Sequence, residues 1–302
     1  MPGKRGALVA IAVLSVAVSG CGGGGSKSST QPPPQPAVQH RTLQVGGLSR
    51  TYRLYAPLSL DPSRAAPLVI VMGGVGNTGD SMVEATGFDR AADAGGFIVA
   101  YPDGVNNTWN AGYCCLVRAT SGPDDVAFLG RLIDDVESAR KVDAARVFAT
   151  GVSAGGMMAY RLACAMADRI AGVGSVAGAM ILDDCHPSRP VSVIEIHGTD
   201  DGEVPYDGGH TAGGATQDSP PTPAVAQRWA ELDNCPGQPA AQTQPPVSVS
   251  TWSGCASGTG VKLITIDGGG HTWFANGLGP VAGAVDATGE IWSFLSAVHR
   301  SA

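Results

Sequence analysis

The stretch Arg146-Val-Phe-Ala-Thr-Gly-Val-Ser-Ala-Gly-Gly156, running into Met157-Met-Ala-Tyr-Arg-Leu-Ala163, constrains the fold more than any other. Val147 to Thr150 has the length and character of a short buried strand, the glycines around Ser153 permit a sharp turn, and the run that follows is a good helix former. Strand, tight turn and helix in that order are the setting a G-x-S-x-G nucleophile elbow needs. The turn lifts the serine hydroxyl above the end of a sheet, and small neighbours let strand and helix pack without a Cβ clash. With 43 glycines in 302 residues the bare pattern is weak. The competing reading is an ordinary glycine-rich turn, and partners for Ser153 decide between the two.

The first 20 residues stand apart from the rest. Lys4 and Arg5 make a basic start, Ala7 to Val18 is an apolar run too short for the roughly 20 residues a bilayer needs, and Val18-Ser-Gly-Cys21 follows. Residues 1–20 therefore read as a signal peptide, and the small residues before Cys21 resemble a bacterial lipobox, in which that cysteine is lipidated. An ordinary secretory signal is the alternative. Residues 21–39 form a Gly/Ser and then Pro/Gln tract that reads as a flexible tether, leaving 40–302 as one catalytic-size domain. Removing Lys4 and Arg5 takes the net charge from −7 to −9, and an acidic body argues against a nucleic-acid partner. Membrane contact is expected only through an N-terminal lipid anchor.

Six cysteines remain beyond Cys21, at 114, 115, 164, 185, 235 and 255. An even number in an exported chain favours disulfides, and none shows a C-x-x-C zinc spacing. Cys235 and Cys255 bracket a Pro/Gln-rich loop and are expected to pair. Adjacent cysteines bridge only with strain, so Cys114 and Cys115 are expected to reach different partners or to share Cys164 and Cys185.

Along the folded part, Thr42–Val45 and Thr51–Tyr55 alternate around Gly46-Gly47, an edge hairpin. Pro67–Met72, Phe97–Tyr101, Ala171–Ala177 and Val191–Ile196 are continuous apolar runs, as strands buried on both faces should be. Helical spacing marks 124–142, 223–232 and 288–298, and Val261–Ile266 is a further strand. Strands alternating with helices predict an α/β fold with a mostly parallel central sheet and helices on both faces.

A nucleophilic serine needs a base, and the base needs an orienter. In parallel-sheet hydrolases they follow in the order Ser, Asp or Glu, His, each at a strand end. Val191–Ile196 ends in His197-Gly-Thr-Asp-Asp201-Gly-Glu-Val-Pro-Tyr206, where Asp200, Asp201 and Glu203 are all candidate acids. Val261–Ile266 ends in Asp267-Gly-Gly-Gly-His271-Thr-Trp273, which makes His271 the best base among the six histidines. His197 precedes the acid and suits a hydrogen-bonded support of the loop.

These segments, together with Tyr101-Pro-Asp-Gly104, Trp109-Asn-Ala-Gly-Tyr-Cys-Cys115 and Asp124-Asp-Val-Ala-Phe128, resemble the polyhydroxybutyrate depolymerase and feruloyl esterase group of secreted α/β-hydrolases over nearly all of residues 42–300. The resemblance implies an α/β-hydrolase fold and places the catalytic acid on Asp201. It also places an oxyanion donor in the glycine loop after the third strand, on Gly74, to act with Ala154, the residue after the nucleophile. The chain departs from the group at Met72, where a histidine normally introduces and steadies that loop.

The implied reaction is hydrolysis of a carboxylic ester through an acyl-enzyme, with no metal or organic cofactor. Trp109, Tyr113, Trp273 and Phe274 are candidates for an aromatic-tolerant groove, or pack beneath the loops. The expected substrates are feruloyl or acetyl esters, as on plant cell-wall polysaccharide, or a polyhydroxybutyrate-type polyester. The alternatives are an envelope-tethered binding or adhesion protein on a degenerate scaffold, or a serine peptidase of the same fold. If the lipobox is used, a palmitate analogue labels the exported wild-type protein and leaves Cys21→Ala unlabelled; an unlabelled wild type rejects lipidation.

Overall fold

Continuous apolar runs become the middle of a sheet and alternating runs become its edges. The computed structural model describes residues 37–115, 122–182, 184–212, 215–275, 281 and 283–300; Cys21, the expected signal peptide and most of the expected tether lie outside them. β1 (Val38–Val45) and β2 (Leu48–Tyr55) form the edge hairpin, turned by Gly46 and Gly47 at φ 58° and 77°. β1 begins at Val38, so the end of the stretch read as tether is already paired, opposite Tyr55.

β3 (Ala66–Met72) is buried at every residue. α1 (Gly79–Thr86) and α2 (Phe88–Gly95) then lead to β4 (Ile98–Pro102). Neither helix was predicted, because eight residues is too short for a periodic signal. Their boundaries come from local chemistry instead: a capping box between Thr78 and Ser81 opens α1, and left-handed glycines end both helices at Gly87 and Gly96. α3 (Asp125–Ala139) is followed by β5 (Val142–Val152), longer than predicted and taking up the last residue read as helix. The chain continues through α4 (Ala154–Ala165), β6 (Gly172–Val176), β7 (Ser192–Gly198), α5 (Thr222–Leu232), β8 (Ala240–Gln244), β9 (Val247–Trp252), β10 (Val261–Ile266) and α6 (Ala287–Ser296).

The ten strands make one sheet in the order β1-β2-β4-β3-β5-β6-β7-β10-β9-β8. The six from β4 to β10 run parallel, and antiparallel hairpins flank them at both edges. Side chains of α3, α4 and α5 fill the core on one face, and those of α1, α2 and α6 fill it on the other. The β8–β9 hairpin lies between Cys235 and Cys255, where a loop was expected, and those two cysteines are bonded to each other. The expectation for the other four cysteines is overturned. Cys164, near the end of α4, pairs with Cys185, which leaves Cys114 and Cys115 to each other.

A buried ion pair fixes Asn110, which follows β4, against the start of α3 and this frame. Arg50 Nη2 donates to Asp125 Oδ1 at 2.7 Å, with both side chains 3% exposed or less. Asp125 Oδ2 accepts the backbone N–H of Asn110 at 2.7 Å, and the Arg161 guanidinium of α4 donates to the Asn110 side chain at 2.7 Å. The acidic pair before Val126 thus has two tasks: Asp124 caps α3 through the Ala127 N–H, and Asp125 ties the loop down. Asp125→Ala leaves a buried guanidinium without its countercharge. It should lower unfolding free energy by about 3–5 kcal/mol, read from denaturant midpoints.

Candidate active site

β5 delivers Ser153 at φ 54° and ψ −122°, a backbone conformation that a residue with a Cβ adopts only under strain of about 1–3 kcal/mol. Two anchors hold it there. The Ser153 N–H donates to Val176 O at 2.9 Å across to β6, and the Ser153 carbonyl accepts from Met157 N as α4 begins. The glycines are required by proximity. A Cβ on Gly155 would stand 2.2 Å from Met72 O, and one on Gly151 would stand 2.5 Å from the same oxygen. Met72 is therefore a fully buried strand end whose carbonyl the elbow packs against.

The acid and base come from the ends of β7 and β10, which are neighbours, and their loops are zipped together. Thr199 N donates to Ile266 O at 3.0 Å, Asp200 N to Gly269 O at 2.9 Å, and Gly268 N to Thr199 Oγ1 at 2.9 Å. Gly198 permits this approach, since a Cβ there would lie 2.0 Å from Gly269 O. The result is that His271 Nδ1–H donates to Asp201 Oδ2 at 2.8 Å, with Oδ1 at 3.0 Å. Asp200 and Glu203 make no such contact with the imidazole, so Asp201 alone of the three candidates orients His271.

Asp201 accepts more than the base. Oδ1 takes the N–H groups of Glu203 and Val204 at 2.9 and 2.8 Å, and His197 Nε2 lies 3.3 Å from Oδ2. Burial works to raise this carboxyl, but donors from His197, His271 and Val204 outweigh it and hold it well below the ordinary range. His197 is wholly buried. Burial would lower its ring, but the Asp201 and Glu195 carboxylates push it up to about 10.

Ser153 and His271 line one cavity of about 450 Å³. The Ser153 hydroxyl makes no hydrogen bond to the imidazole in this arrangement; proton transfer needs an approach of about 2.6–3.2 Å, a contact that often tightens only as substrate binds. Met82, Met157, Cys114, Cys115 and Trp273 supply apolar and sulfur-bearing wall, and Glu203 stands among the lining residues. Gly74 lies at the same wall, where an added Cβ would meet Ser153 Cβ at 3.1 Å. Ala154 opens α4, so its N–H belongs to the first turn, which has no intrahelical acceptor.

Of the four aromatics offered for the groove, only Trp273 lines the cavity, and Phe274 is buried in the core. Tyr113 is half-buried against the core, its backbone N–H donating to Ile181 O and its carbonyl accepting from Thr216 N. Trp109 is a brace: it is 2% exposed, and its indole N–H donates to Gly73 O at 2.9 Å. With Gly76 N donating to Asn107 O at 2.8 Å, this steadies the glycine loop that lacks a histidine at Met72. Sequence reasoning missed the cavity role of Met82, Met157 and the adjacent cysteines. It also missed the buried Glu195 behind His197, although a carboxylate inside the apolar run Val191–Ile196 was a visible signal.

A parallel sheet carrying a serine on a strained turn, with an acid and a histidine at the ends of the following strands, is the α/β-hydrolase fold. The profile of the family described as esterase PHB depolymerase matches residues 50–217, and the chain belongs to that family. It is 35% identical over 251 residues to a Nocardia uniformis subsp. tsuyamanensis protein named as an esterase, NocK, covering 77% of this chain and 73% of that one. It is 32% identical to feruloyl esterase C of Emericella nidulans, covering 87% and 89% of the two chains. Among solved structures, an acetyl xylan esterase from Aspergillus awamori superposes with a TM-score of 0.61 at 14% identity, over 85% of this chain and 99% of that one. The chain is a carboxylic ester hydrolase.

The elbow geometry has a direct test. Gly155→Ala should destabilise the protein by more than about 2 kcal/mol and abolish labelling by a fluorophosphonate. Gly130→Ala in α3, where the added Cβ meets only the flexible Met166 Cε at 3.4 Å, should leave labelling unchanged and stability equal or up to about 1 kcal/mol higher.

Proposed function

We propose that the chain is a serine esterase acting through an acyl-enzyme, with Ser153 as nucleophile, His271 as general base and then acid, and Asp201 as its orienter. The observation that carries this reading is the Asp201–His271 hydrogen bond at the rim of the cavity that Ser153 also lines. With Nδ1–H committed to Asp201, Nε2 of His271 is the nitrogen left to take the serine proton. Attack of Ser153 Oγ on the ester carbonyl gives a tetrahedral oxyanion, which the N–H groups of Gly74 and Ala154 stabilise. Collapse expels the alcohol with the proton returned by His271. Water, deprotonated by the same histidine, then releases the acid and restores the hydroxyl.

For substrate, we favour an aryl-bearing acyl group such as a feruloyl ester over acetyl. The cavity falls in the roughly 300–1,000 Å³ range that holds small organic ligands, and Met82, Met157 and Trp273 give it soft, polarisable walls suited to an aromatic acid. Plant cell-wall polysaccharide is then the natural carrier of the ester, and a polyhydroxybutyrate-type polyester is the competing substrate. Export is supported by three disulfides, which belong to an oxidising compartment, and a lipid on Cys21 would hold the enzyme at the cell envelope.

Ser153→Ala should lower hydrolysis of a p-nitrophenyl ester by at least about 10⁴-fold and end fluorophosphonate labelling, and Asp201→Asn should lower kcat by about 10⁴-fold by disturbing the His271 tautomer. Unchanged turnover in Ser153→Ala rejects the mechanism. Methyl ferulate, acetylated xylan and short polyhydroxybutyrate compared side by side should rank in that order of kcat/KM; a ranking led by either of the others rejects the substrate assignment.

A further inference from the structure

Behind the proposed triad lies a second row of polar side chains that the reaction as described does not use. Tyr160 Oη donates to Glu195 Oε2 at 2.8 Å, Glu195 Oε1 lies 3.0 Å from His197 Nδ1, and His197 Nε2 lies 2.9 Å from Val204 O and 3.3 Å from Asp201 Oδ2. Tyr160, Glu195 and His197 are each 1% exposed or less, and the Asp201 side chain is wholly buried. They come from α4, β7 and the acid loop, so the row ties the helix behind the elbow to the catalytic acid.

The hydrogen-bond chemistry fixes where one proton sits. Val204 O and Asp201 Oδ2 are acceptors only, so His197 Nε2 must carry hydrogen. The Nδ1–Glu195 contact holds one further proton, on whichever partner, so His197 and Glu195 together are neutral and Asp201 keeps its full charge. Apolar residues would suit a central strand of a parallel sheet, and a buried ion pair is seldom a source of stability by itself. What this pair does supply is a fixed N–H that bonds Val204 O at 2.9 Å and stands 3.3 Å from Asp201 Oδ2.

We infer that His197 is a positioning residue for the reaction: its Nε2–H holds the Asp201 carboxylate and the turn at Val204 so that Asp201 faces His271, and Glu195, anchored by Tyr160, fixes His197 in the orientation that does this. The inference rests on the reading of Asp201 and His271 as catalytic partners. The other ionisable groups facing this pair are few. Glu203 stands in the acid loop at the cavity, Asp267 lies at the foot of the base loop 3.3 Å from Thr199 Oγ1, and the Tyr206 ring packs edge-on to His197 at 5.9 Å.

Two substitutions separate positioning from packing. Gln places an amide N–H near the position of Nε2, so His197→Gln retains a donor, whereas His197→Met fills the space without one. On p-nitrophenyl acetate, His197→Met should lose about 10–100-fold in kcat with KM within twofold. The acid limb of its kcat/KM profile should move up by roughly half to one pH unit, because an Asp201 freed of that donor holds the His271 imidazolium more tightly. His197→Gln should keep the limb at its wild-type position. A folded His197→Met with wild-type kcat and limb overturns the inference, as does a shift of equal size in both variants. If His197→Met does not fold, nitrogen-15 NMR of histidine-labelled wild type decides. Nε2 of His197 should stay protonated across the active pH range, and an unprotonated Nε2 overturns the inference. Loss of the triad reading shows separately, as activity that survives in Ser153→Ala.

Discussion

Everything at the rim of the sheet depends on how closely two backbones approach where β7 and β10 end. Gly198 and Gly269 touch where no side chain fits, and Thr199 bridges the two loops through its backbone N–H and its hydroxyl. That zipper converts two neighbouring parallel strands into a carboxylate and an imidazole at 2.8 Å. A parallel sheet brings neighbouring strand ends to one edge, but it does not bring their loops into contact. The glycines and the threonine do, and this is why the order His-Gly-Thr before the acid and Gly-Gly-Gly before the base has physical content.

The elbow obeys the same rule on the other side of the site. Gly151 and Gly155 both press on the Met72 carbonyl, so β3, β5 and α4 meet at one oxygen atom. The strain at Ser153 is sustained because the surrounding backbone leaves it no alternative: its N–H is committed to β6 and its carbonyl to α4. The side chain at position 72 matters less than its backbone. The steadying that a histidine there would provide comes from elsewhere, through Trp109 on Gly73 O and Asn107 on Gly76 N. That loop is in turn held by Asp125 and Arg161 through Asn110.

This separates what the sequence made legible from what it did not. The strands that flank the site were readable because a doubly buried strand has one signature, a continuous apolar run. β3, β7 and β10 lie within two residues of the predicted spans. The order of Ser153, Asp201 and His271 and their strand-end placement followed from the same reading, whereas the choice of Asp201 over Asp200 and Glu203 came from family resemblance. α1 and α2 were too short to show a period, and the β8–β9 hairpin was hidden by its exposed, polar composition. The role of Trp109 stayed open between groove and brace because an aromatic beside a cavity and an aromatic beneath its loops have the same local sequence. The pairing of Cys114 with Cys115 was misjudged for a related reason, since what decides it is that the fold brings Cys164 and Cys185 together.

Glu195 and His197 show where sequence and structure have to be read together. A carboxylate in the middle of an apolar strand violates the local rule for that strand, and such violations concentrate where function overrides packing. Charge burial of this kind is tolerable only when every polar atom is answered, and here each is. Tyr160 answers one Glu195 oxygen, the His197 ring answers the other, and Val204 and Asp201 answer the far side of the ring. The row continues through Asp201 to His271, so alternating acids and imidazoles run from the core of the sheet to the cavity. Removing one interior member would leave a neighbour buried without its partner, a penalty far larger than the net worth of any single hydrogen bond. The interior of β7 is therefore bound to the loop at its tip, and the same side chains that interrupt its apolar run pack against Asp201 and the turn at Val204.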